Sequence, residues 1–431
     1  MKKKVRFIDL FAGMGGLRIG FEEAFNSIGF ETECVMTSEI KSHAIEALKY
    51  NFEHHNFVGD ITKVNENDIE DFDFLLAGFP CQPFSSAGNR LGFDDTRGTL
   101  FFDVARILRE KRPYGFLLEN VEGLVTHDSG KTLKTILKVL EELDYNVNWK
   151  LLDSKNFGVA QSRSRVYIVG TKNNKVDLEN FEIKKAVLKE VLEEGLETVN
   201  SHFTKCLFKH YTPEHIYGKA IKDKRGGADN IHSWDIGLKG EVSAEQKTIL
   251  EQLFKERRKK KWAEEIGIKW MDGMPLTLNQ IRTFNKSENL KELLDDLVKK
   301  GYLKLEYPKE ERLIEKDGKL MRKRIPDESK ERGYNIVAGK LSFEFTKILD
   351  PNDITPTLVA MDVGKLGVVD NGGLRQLSLR EGLRLCGYPD TYSLNCLNNI
   401  SDGFDLLGNT VVIPVVKQVA KRLGEAYIKQ L

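Results

Sequence analysis

The sequence predicts an α/β fold, with a mostly parallel sheet covered by helices on both faces. Three observations predict it. Short apolar runs recur along the first 170 residues: Val5-Arg6-Phe7-Ile8-Asp9-Leu10, Cys34-Val35-Met36, Phe74-Leu75-Leu76-Ala77, Phe116-Leu117-Leu118 and Val166-Tyr167-Ile168-Val169. Stretches of helical periodicity lie between several of them, and alternation of the two is the pattern of a doubly covered parallel sheet. The glycines of Ala12-Gly13-Met14-Gly15-Gly16 join the first run to the first helix.

Taken in order, the first run is β-rich and ends at Asp9-Leu10. After the glycines, Leu17, Phe21, Ala24 and Phe25 fall on one helical face. Residues 42–51 and 100–110 read as further helices. Residues 171–200 carry many charges and no glycine motif. Residues 247–262 predict a helix ending in Arg257-Arg258-Lys259-Lys260-Lys261, and Thr277–Arg282 a short one. Leu290, Leu293, Leu294 and Leu297 set a third helix over 290–300, which Gly301 can cap. Tyr302-Leu303-Lys304-Leu305 alternates like a strand, and Lys316-Asp317-Gly318-Lys319 is a hairpin turn. Three helices followed by a β-hairpin is the order of a winged helix-turn-helix, expected over residues 243–330. Order returns from Thr355, and 411–428 reads as a closing helix interrupted early by Pro414.

Composition narrows the function. With 431 residues, 66 Lys+Arg against 65 Asp+Glu and 40% hydrophobic residues, the chain can bury a sizeable core, and affinity for nucleic acid must come from local patches. The five cysteines form no CxxC pair, which argues against a disulfide scaffold or a Cys-rich zinc site; adjacent His54 and His55 are read as surface, and no metal is expected. The apolar run after Lys2-Lys3-Lys4 is too short for a secretory signal, and no run reaches membrane-spanning length. A soluble protein of the reducing cytoplasm, without membrane partners, is expected.

The chemistry starts at the glycine turn, where backbone N–H groups at a helix start can meet a charged ligand. Glu39 ends the next strand, as an acid that hydrogen-bonds ribose hydroxyls does in dinucleotide folds, and Asp60 follows a third strand. Cys81, in Gly78-Phe79-Pro80-Cys81-Gln82-Pro83-Phe84-Ser85-Ser86, follows the strand-like Phe74–Ala77. It therefore lies at the carboxyl edge of the sheet, as a candidate nucleophile between two stiffening prolines. Further along come Thr96-Arg97-Gly98-Thr99-Leu100-Phe101, Glu119-Asn120-Val121 and Gln161-Ser162-Arg163-Ser164-Arg165. Arg375-Gln376-Leu377-Ser378-Leu379-Arg380-Glu381 and Gly408-Asn409-Thr410-Val411 complete the series.

In this set and order the sequence resembles the DNA (cytosine-5) methyltransferases, which use S-adenosylmethionine, of the bacterial restriction–modification type. The resemblance covers about residues 5–171 and 355–431. It implies a Rossmann-like methyltransferase domain over 1–185, a target-recognition domain over 186–400 with the winged-helix insertion at 243–330, and a segment 401–431 that completes the catalytic domain. Cys81 would be the nucleophile that attacks carbon 6 of cytosine, a covalent route that divides one hard step into easier ones. Glu119 would contact ring nitrogen 3 and the amino group, Arg165 the carbonyl oxygen at position 2, and Arg163 would fix the pocket and the cysteine loop.

The same resemblance implies that Phe11 packs on adenine, Glu39 accepts from ribose and Asp60 from the adenine amino group, between the apolar walls Ile40 and Ile61. Ala12, Gly13, Gly15, Gly16 and Leu17 form the turn beside the methionine part of the cofactor, with Pro80, Leu100, Asn409 and Val411 completing its pocket. S-adenosylhomocysteine is the implied product. The target base must leave the duplex, so base flipping is implied, under a loop containing Gly88, Gly92 and Gly98 that closes over DNA.

Gln82, Ser85, Arg97 and the pair Thr357-Leu358 are the expected contacts to double-stranded DNA. Residues 251–330 hold 21 Lys+Arg against 16 Asp+Glu, a local surplus suited to phosphates. Arg225-Gly226-Gly227 and His232-Ser233-Trp234 are further candidate contacts. A monomer, functionally paired with a restriction endonuclease, is the expected assembly. Two rivals are an RNA (tRNA) cytosine-5 methyltransferase and a catalytically dead DNA-binding homologue. The large basic insertion argues against the first, and the intact set Cys81, Glu119, Arg163 and Arg165 against the second.

Overall fold

A computed structural model describes the chain except for residues 1–2, 54–55, 81–99, 225, 270–271, 317–318, 338–342 and 431. Its residues fall into two compact units. The first comprises 1–194, 350–364 and 377–431; the second comprises 195–349 and 365–376. These limits are set by packing, whereas the boundaries expected near 185 and 400 divide the chain by role.

The first unit is built on seven strands: β1 (Lys4–Leu10), β2 (Glu31–Ser38), β3 (Phe57–Val58), β4 (Phe74–Ala77), β5 (Gly115–Val121), β6 (Asn146–Asp153) and β7 (Ser164–Thr171). Their order across the sheet is β3-β2-β1-β4-β5-β7-β6, parallel throughout except that β7 runs antiparallel to both its neighbours. Helices α1 (Gly16–Ser27), α2 (Ser42–Asn51), α3 (Leu100–Lys111) and α4 (Lys131–Glu142) connect the strands.

Alternate residues of β1 explain the two covered faces. Phe7 points to one side, where Phe21, Phe25, Phe74 and Tyr427 pack; the Phe7 and Phe21 rings lie 4.9 Å apart. Ile8 and Leu10 point to the other, among Leu75, Phe101, Ile107 and Ile136. Each fully buried side chain of this size contributes about 1.5–3 kcal/mol, so both faces must be covered for the sheet to stand. Reversal of the chain at β1–α1 needs glycine: Gly15 has φ +81°, and a Cβ on Gly16 would stand 2.7 Å from Tyr388 Oη.

In the second unit, helices α5 (His202–His210) and α6 (Pro213–Ile216) precede the short strands β8 (Ala220–Ile221) and β9 (Asn230–Ile231). A helical group follows: α7 (Ala244–Glu256), α8 (Lys261–Glu265), α9 (Leu278–Arg282) and α10 (Leu290–Lys299). The one helix expected over 247–262 is therefore two, broken before Lys261. Next come β10 (Leu303–Glu306), β11 (Lys309–Lys316), β12 (Lys319–Pro326) and β13 (Gly333–Ile336). β10 pairs with β13, while β11 and β12 form a separate antiparallel ribbon. Trp234, Leu253, Trp262, Leu276, Leu294 and Tyr302 share the core of this group. β14 (Lys347–Ile348), β15 (Leu366–Asp370) and β16 (Gly373–Gln376) join β8 and β9 in a five-stranded sheet.

The chain then returns to the first unit through α11 (Leu379–Leu385), α12 (Ile400–Asn409) and α13 (Ile413–Ile428). Pro414 does not interrupt α13. It stands in the first turn, where its missing N–H has no helical acceptor to lose. α13 lies against α1 so closely that a Cβ on Gly20 would approach Val416 to 2.6 Å. No helix among the described residues is long and apolar enough to cross a membrane.

Candidate active site

A cavity of about 400 Å³ opens at the carboxyl edge of the sheet in the first unit, a size ordinary for a cofactor or small-molecule site. Its floor is the turn between β1 and α1. Phe11 adopts φ +55°, a left-handed conformation that costs an L residue about 1–2 kcal/mol, and it lines the cavity. The turn is held from three sides. Ala12 N–H donates to the Ser38 carbonyl at 3.0 Å, Gly13 N–H to Glu39 Oε2 at 2.7 Å, and Tyr392 Oη to the Met14 carbonyl at 2.8 Å.

Glu39 is fixed by its other oxygen as well, which accepts from the N–H groups of Ile40 and Lys41 at 2.8 and 2.9 Å. Asp60 accepts from Thr62 through Oδ1, and this hydroxyl and N–H hold its carboxyl below the usual range. Both acids therefore present fixed carboxyl oxygens at the cavity, beside the apolar surfaces of Ile40 and Ile61. Ile40, a large apolar side chain, is 72% exposed among the described residues.

The opposite end of the cavity is cationic and acidic at once. Glu119, near the end of β5, meets Arg165, at the start of β7, with Arg165 Nε 3.1 Å from Glu119 Oε1. Burial pushes the Glu119 carboxyl upward, and the guanidinium groups of Arg165 and Arg163 pull it partway back. Arg163, only 3% exposed, donates from Nη1 to the Leu358 carbonyl and from Nη2 to the Gly408 carbonyl, each at 2.9 Å. Buried Arg163 Nε has no hydrogen-bond partner among the described residues. A buried carboxyl that holds a proton more readily than usual, beside a guanidinium, can donate to one atom of a polar ring while the cation stabilises negative charge at another.

Of the residues singled out from sequence, Phe11, Gly13, Glu39, Ile40, Asp60, Ile61, Pro80, Leu100, Glu119, Arg163, Arg165 and Asn409 all line this cavity. Ala12, Gly15, Gly16, Leu17 and Val411 do not line it; they build the turn and the α1 contacts behind it. Leu358 is fully buried, its N–H donating to Gln161 Oε1 and its carbonyl taken by Arg163, while Thr357 Oγ1 donates to the Ser162 carbonyl. Cys81, Gln82, Ser85 and Arg97 lie outside the described residues, as do Gly88, Gly92 and Gly98.

Sequence reasoning missed three supports. Asn120 Nδ2 donates to the Phe79 carbonyl at 2.8 Å, two residues before Cys81. Asp405 Oδ2 meets both Lys41 Nζ and His43 Nε2 at 2.7 Å, while the same Asp405 accepts from Asn409 Nδ2, so the end of α12 is tied to the start of α2. Asp9 is fully buried on β1, and neither of its carboxyl oxygens has a partner among the described residues. Asn120 stands beside Glu119 in the Glu119-Asn120-Val121 motif, whereas Asp405 meets Lys41 and His43 across more than 360 positions.

Comparison with known proteins shows the family. The family model of C-5 cytosine-specific DNA methylases matches residues 5–425. Type II methyltransferase M.NlaIV of Neisseria lactamica is 57% identical over 98% of this chain and 99% of its own, and M.NgoBV of Neisseria gonorrhoeae is 56% identical over the same shares. Type II methyltransferase M.BanI of Aneurinibacillus aneurinilyticus is 41% identical over 99% of this chain and 97% of its own. In fold, the chain is similar to the crystal structure of S. pombe Dnmt2 methyltransferase, with a TM-score of 0.53 at 17% identity over 98% of this chain and 99% of that one. With a match that spans nearly the whole sequence, the chain belongs to the C-5 cytosine-specific DNA methylase family and is a DNA (cytosine-5) methyltransferase.

Proposed function

We propose that this methyltransferase uses S-adenosylmethionine to modify one cytosine within a specific double-stranded DNA site, as the protective partner of a restriction endonuclease. The observation that carries the reading is the Glu119–Arg165 pair, with Arg163 behind it, on the same cavity as Phe11, Glu39 and Asp60. The lining fits the cofactor: Phe11, Ile40 and Ile61 offer apolar surface for a purine, and Glu39 and Asp60 offer acceptors for hydroxyl and amino groups. When bound, S-adenosylmethionine supplies an electrophilic sulfonium methyl and leaves as S-adenosylhomocysteine.

The chain's own residues make carbon 5 reactive. The Cys81 thiolate adds to carbon 6 of the flipped cytosine, forming a C–S bond and moving the double-bond electrons toward carbon 5. Glu119 supplies a proton at ring nitrogen 3, so the developing charge is neutralised, and Arg165 stabilises the carbonyl oxygen at position 2. Arg163 fixes the wall that carries Leu358 and Gly408. After methylation the carbon-5 proton passes to a base, the C–S bond breaks so that Cys81 departs as thiolate, and ring nitrogen 3 returns its proton to Glu119, which restores the ring.

Target recognition belongs to residues 186–400, with a winged helix-turn-helix at 243–330. What supports this is the order α7, a bridge from Leu276 to Tyr334 on β13, α9, α10, β10, the β11–β12 ribbon and β13, with the short α8 as an addition after α7. In that fold a first helix, a short strand, two helices and two strands around a wing follow in this sequence. A monomer acting in the cytoplasm completes the reading.

Bisulfite sequencing of DNA from a methylation-free host expressing the chain tests it. Protected cytosines recurring in one short sequence are expected, and Cys81→Ser should abolish them while cofactor binding persists. Robust turnover by that variant would overturn the covalent route. Unprotected DNA alongside methylated RNA would overturn the DNA reading.

A further inference from the structure

The positive surplus of residues 251–330 is not spread evenly, and its location bears on which element meets DNA. The run Arg257-Arg258-Lys259-Lys260-Lys261, the obvious phosphate contact in the sequence, is largely spent within the protein. Arg257 is 6% exposed and donates to Asn335 Oδ1 at 2.7 Å. Arg258 lies 3.4 Å from Asp272, and Lys259 and Lys261 both pair with Glu256.

Helix α10, which occupies the recognition-helix position, suits phosphate no better. It carries Lys291 and Lys299 against Glu292, Asp295 and Asp296. Lys291 is held by Asp295 at 2.6 Å, and Asp296 also engages Lys300 at 2.6 Å. An acidic face of this kind is repelled by the duplex.

The β11–β12 ribbon differs. β12 contains the consecutive cations Arg322, Lys323 and Arg324, all exposed. No carboxylate lies within 4 Å of Lys323 or Arg324 among the described residues, and Arg322 reaches Glu311 only at 3.9 Å. Because successive strand residues alternate, Arg322 and Arg324 stand on one face while Lys323 stands on the other, opposite Arg312 of β11. Arg312 is held by Glu310 at 3.2 Å and Glu311 lies opposite Arg324, so the cations with no carboxylate within 4 Å are Lys323 on one face and Arg324 on the other. Toward the turn the ribbon exposes apolar side chains, with Leu313 65%, Leu320 74% and Met321 52% accessible. Among the described residues no third strand joins the ribbon, and a two-stranded ribbon with exposed apolar residues is marginal in water and calls for a partner.

We propose that the β11–β12 ribbon, rather than α10, enters the major groove of the DNA, with Arg322, Lys323 and Arg324 on the phosphates of the two flanking strands. A groove has a phosphate wall on each side, which is the arrangement that a ribbon with such a cation on each face complements. The major groove of B-form DNA is wide enough for a two-stranded ribbon, and its thymine methyl groups offer apolar contacts to Leu313, Leu320 and Met321. This inference rests on the recognition role given above to residues 243–330.

The test measures binding of the full chain to a 30-bp duplex carrying its mapped methylation site, over a range of KCl concentrations. Each phosphate contact contributes about 0.9 to the slope of log affinity against log salt. The triple variant Arg322→Gln, Lys323→Gln, Arg324→Gln should lower that slope by about 2–3, with S-adenosylmethionine affinity and circular dichroism unchanged. The pair Lys291→Gln, Lys299→Gln in α10 should leave it within about half a unit of the parent. A triple variant that keeps the parental slope overturns the proposal. Leu313→Ser, Leu320→Ser, Met321→Ser should reduce kcat/KM on the cognate duplex relative to one altered by a single base, with the slope kept; undiminished discrimination counts against groove entry. A parent protein that neither binds nor methylates duplex DNA would instead refute the recognition reading itself.

Discussion

Arg165 Nε stands 3.1 Å from Glu119 Oε1, and this pair, drawn from neighbouring antiparallel strands, sets the proton inventory of the site. Burial pushes the Glu119 carboxyl upward, and Arg165 and then Arg163 oppose that shift. In the proposed reaction Glu119 is the group that passes a proton to the ring nitrogen.

Glu119→Gln keeps a hydrogen-bond donor but cannot transfer a proton. Its kcat should fall by about 10²–10⁴-fold, the usual worth of a positioned general acid, with KM for S-adenosylmethionine little changed. Single-turnover methylation assays check this, and a loss of less than tenfold would remove Glu119 from the proton-transfer role.

Asn120 holds the backbone that leads out of β4. Its Nδ2 donates to the Phe79 carbonyl at 2.8 Å, two residues before Cys81. Asn120→Ala deletes that bond and leaves a buried carbonyl unpaired, costing about 1–3 kcal/mol. The loss should appear chiefly in kcat, with cofactor affinity within about threefold of the parent by calorimetry. Equal kcat would show that the loop is held elsewhere.

Asp9 gives the fold a pH dependence. Burial raises its carboxyl from the usual 3.8 to about 8, against the opposing pull of Arg18. The unfolded chain ionises Asp9 near pH 4, while the folded chain keeps the proton until about pH 8. The stabilising contribution is therefore complete below about pH 4, declines as pH rises through this window, and is gone above about pH 8. Asp9→Asn removes the slope, whose limit is about 1.4 kcal/mol per pH unit. Urea unfolding at pH 5, 6.5 and 8.5 should show the variant gaining on the parent as pH rises. Parallel profiles would mean that Asp9 does not titrate in this way.

Gly16→Ala tests the close approach behind the cofactor turn. The added methyl would stand 2.7 Å from both Tyr388 Oη and Val411 Cγ2. Overpacking of this kind costs about 1–3 kcal/mol. Tyr388 also shares a 2.6 Å hydrogen bond with Thr410, which lines the cavity, so S-adenosylmethionine affinity should fall together with Tm. An unchanged Tm would show that the turn has room to shift.

Much of this protein is local in the sequence. Glycines that permit the β1–α1 turn, the alternating apolar runs of a sheet buried on both faces, and Glu39 and Asp60 at strand ends are each readable because a strand, a turn and a helix start are specified within a dozen residues. The helix order of residues 243–330 was legible for the same reason, although the break before Lys261 was not, since a charge run does not disclose which of its members pair inward. Tertiary structure alone decided the rest. Arg163 reaches carbonyls at 358 and 408, Asp405 clasps Lys41 and His43, and Asp9 lies buried without a hydrogen-bond partner among the described residues. Such contacts follow from which strands become neighbours, and the net charge of a segment says nothing of which charges folding leaves free. The chemistry was written in short motifs, whereas the proton affinity of Glu119 and the exposure of the β12 cations exist only after distant segments have packed.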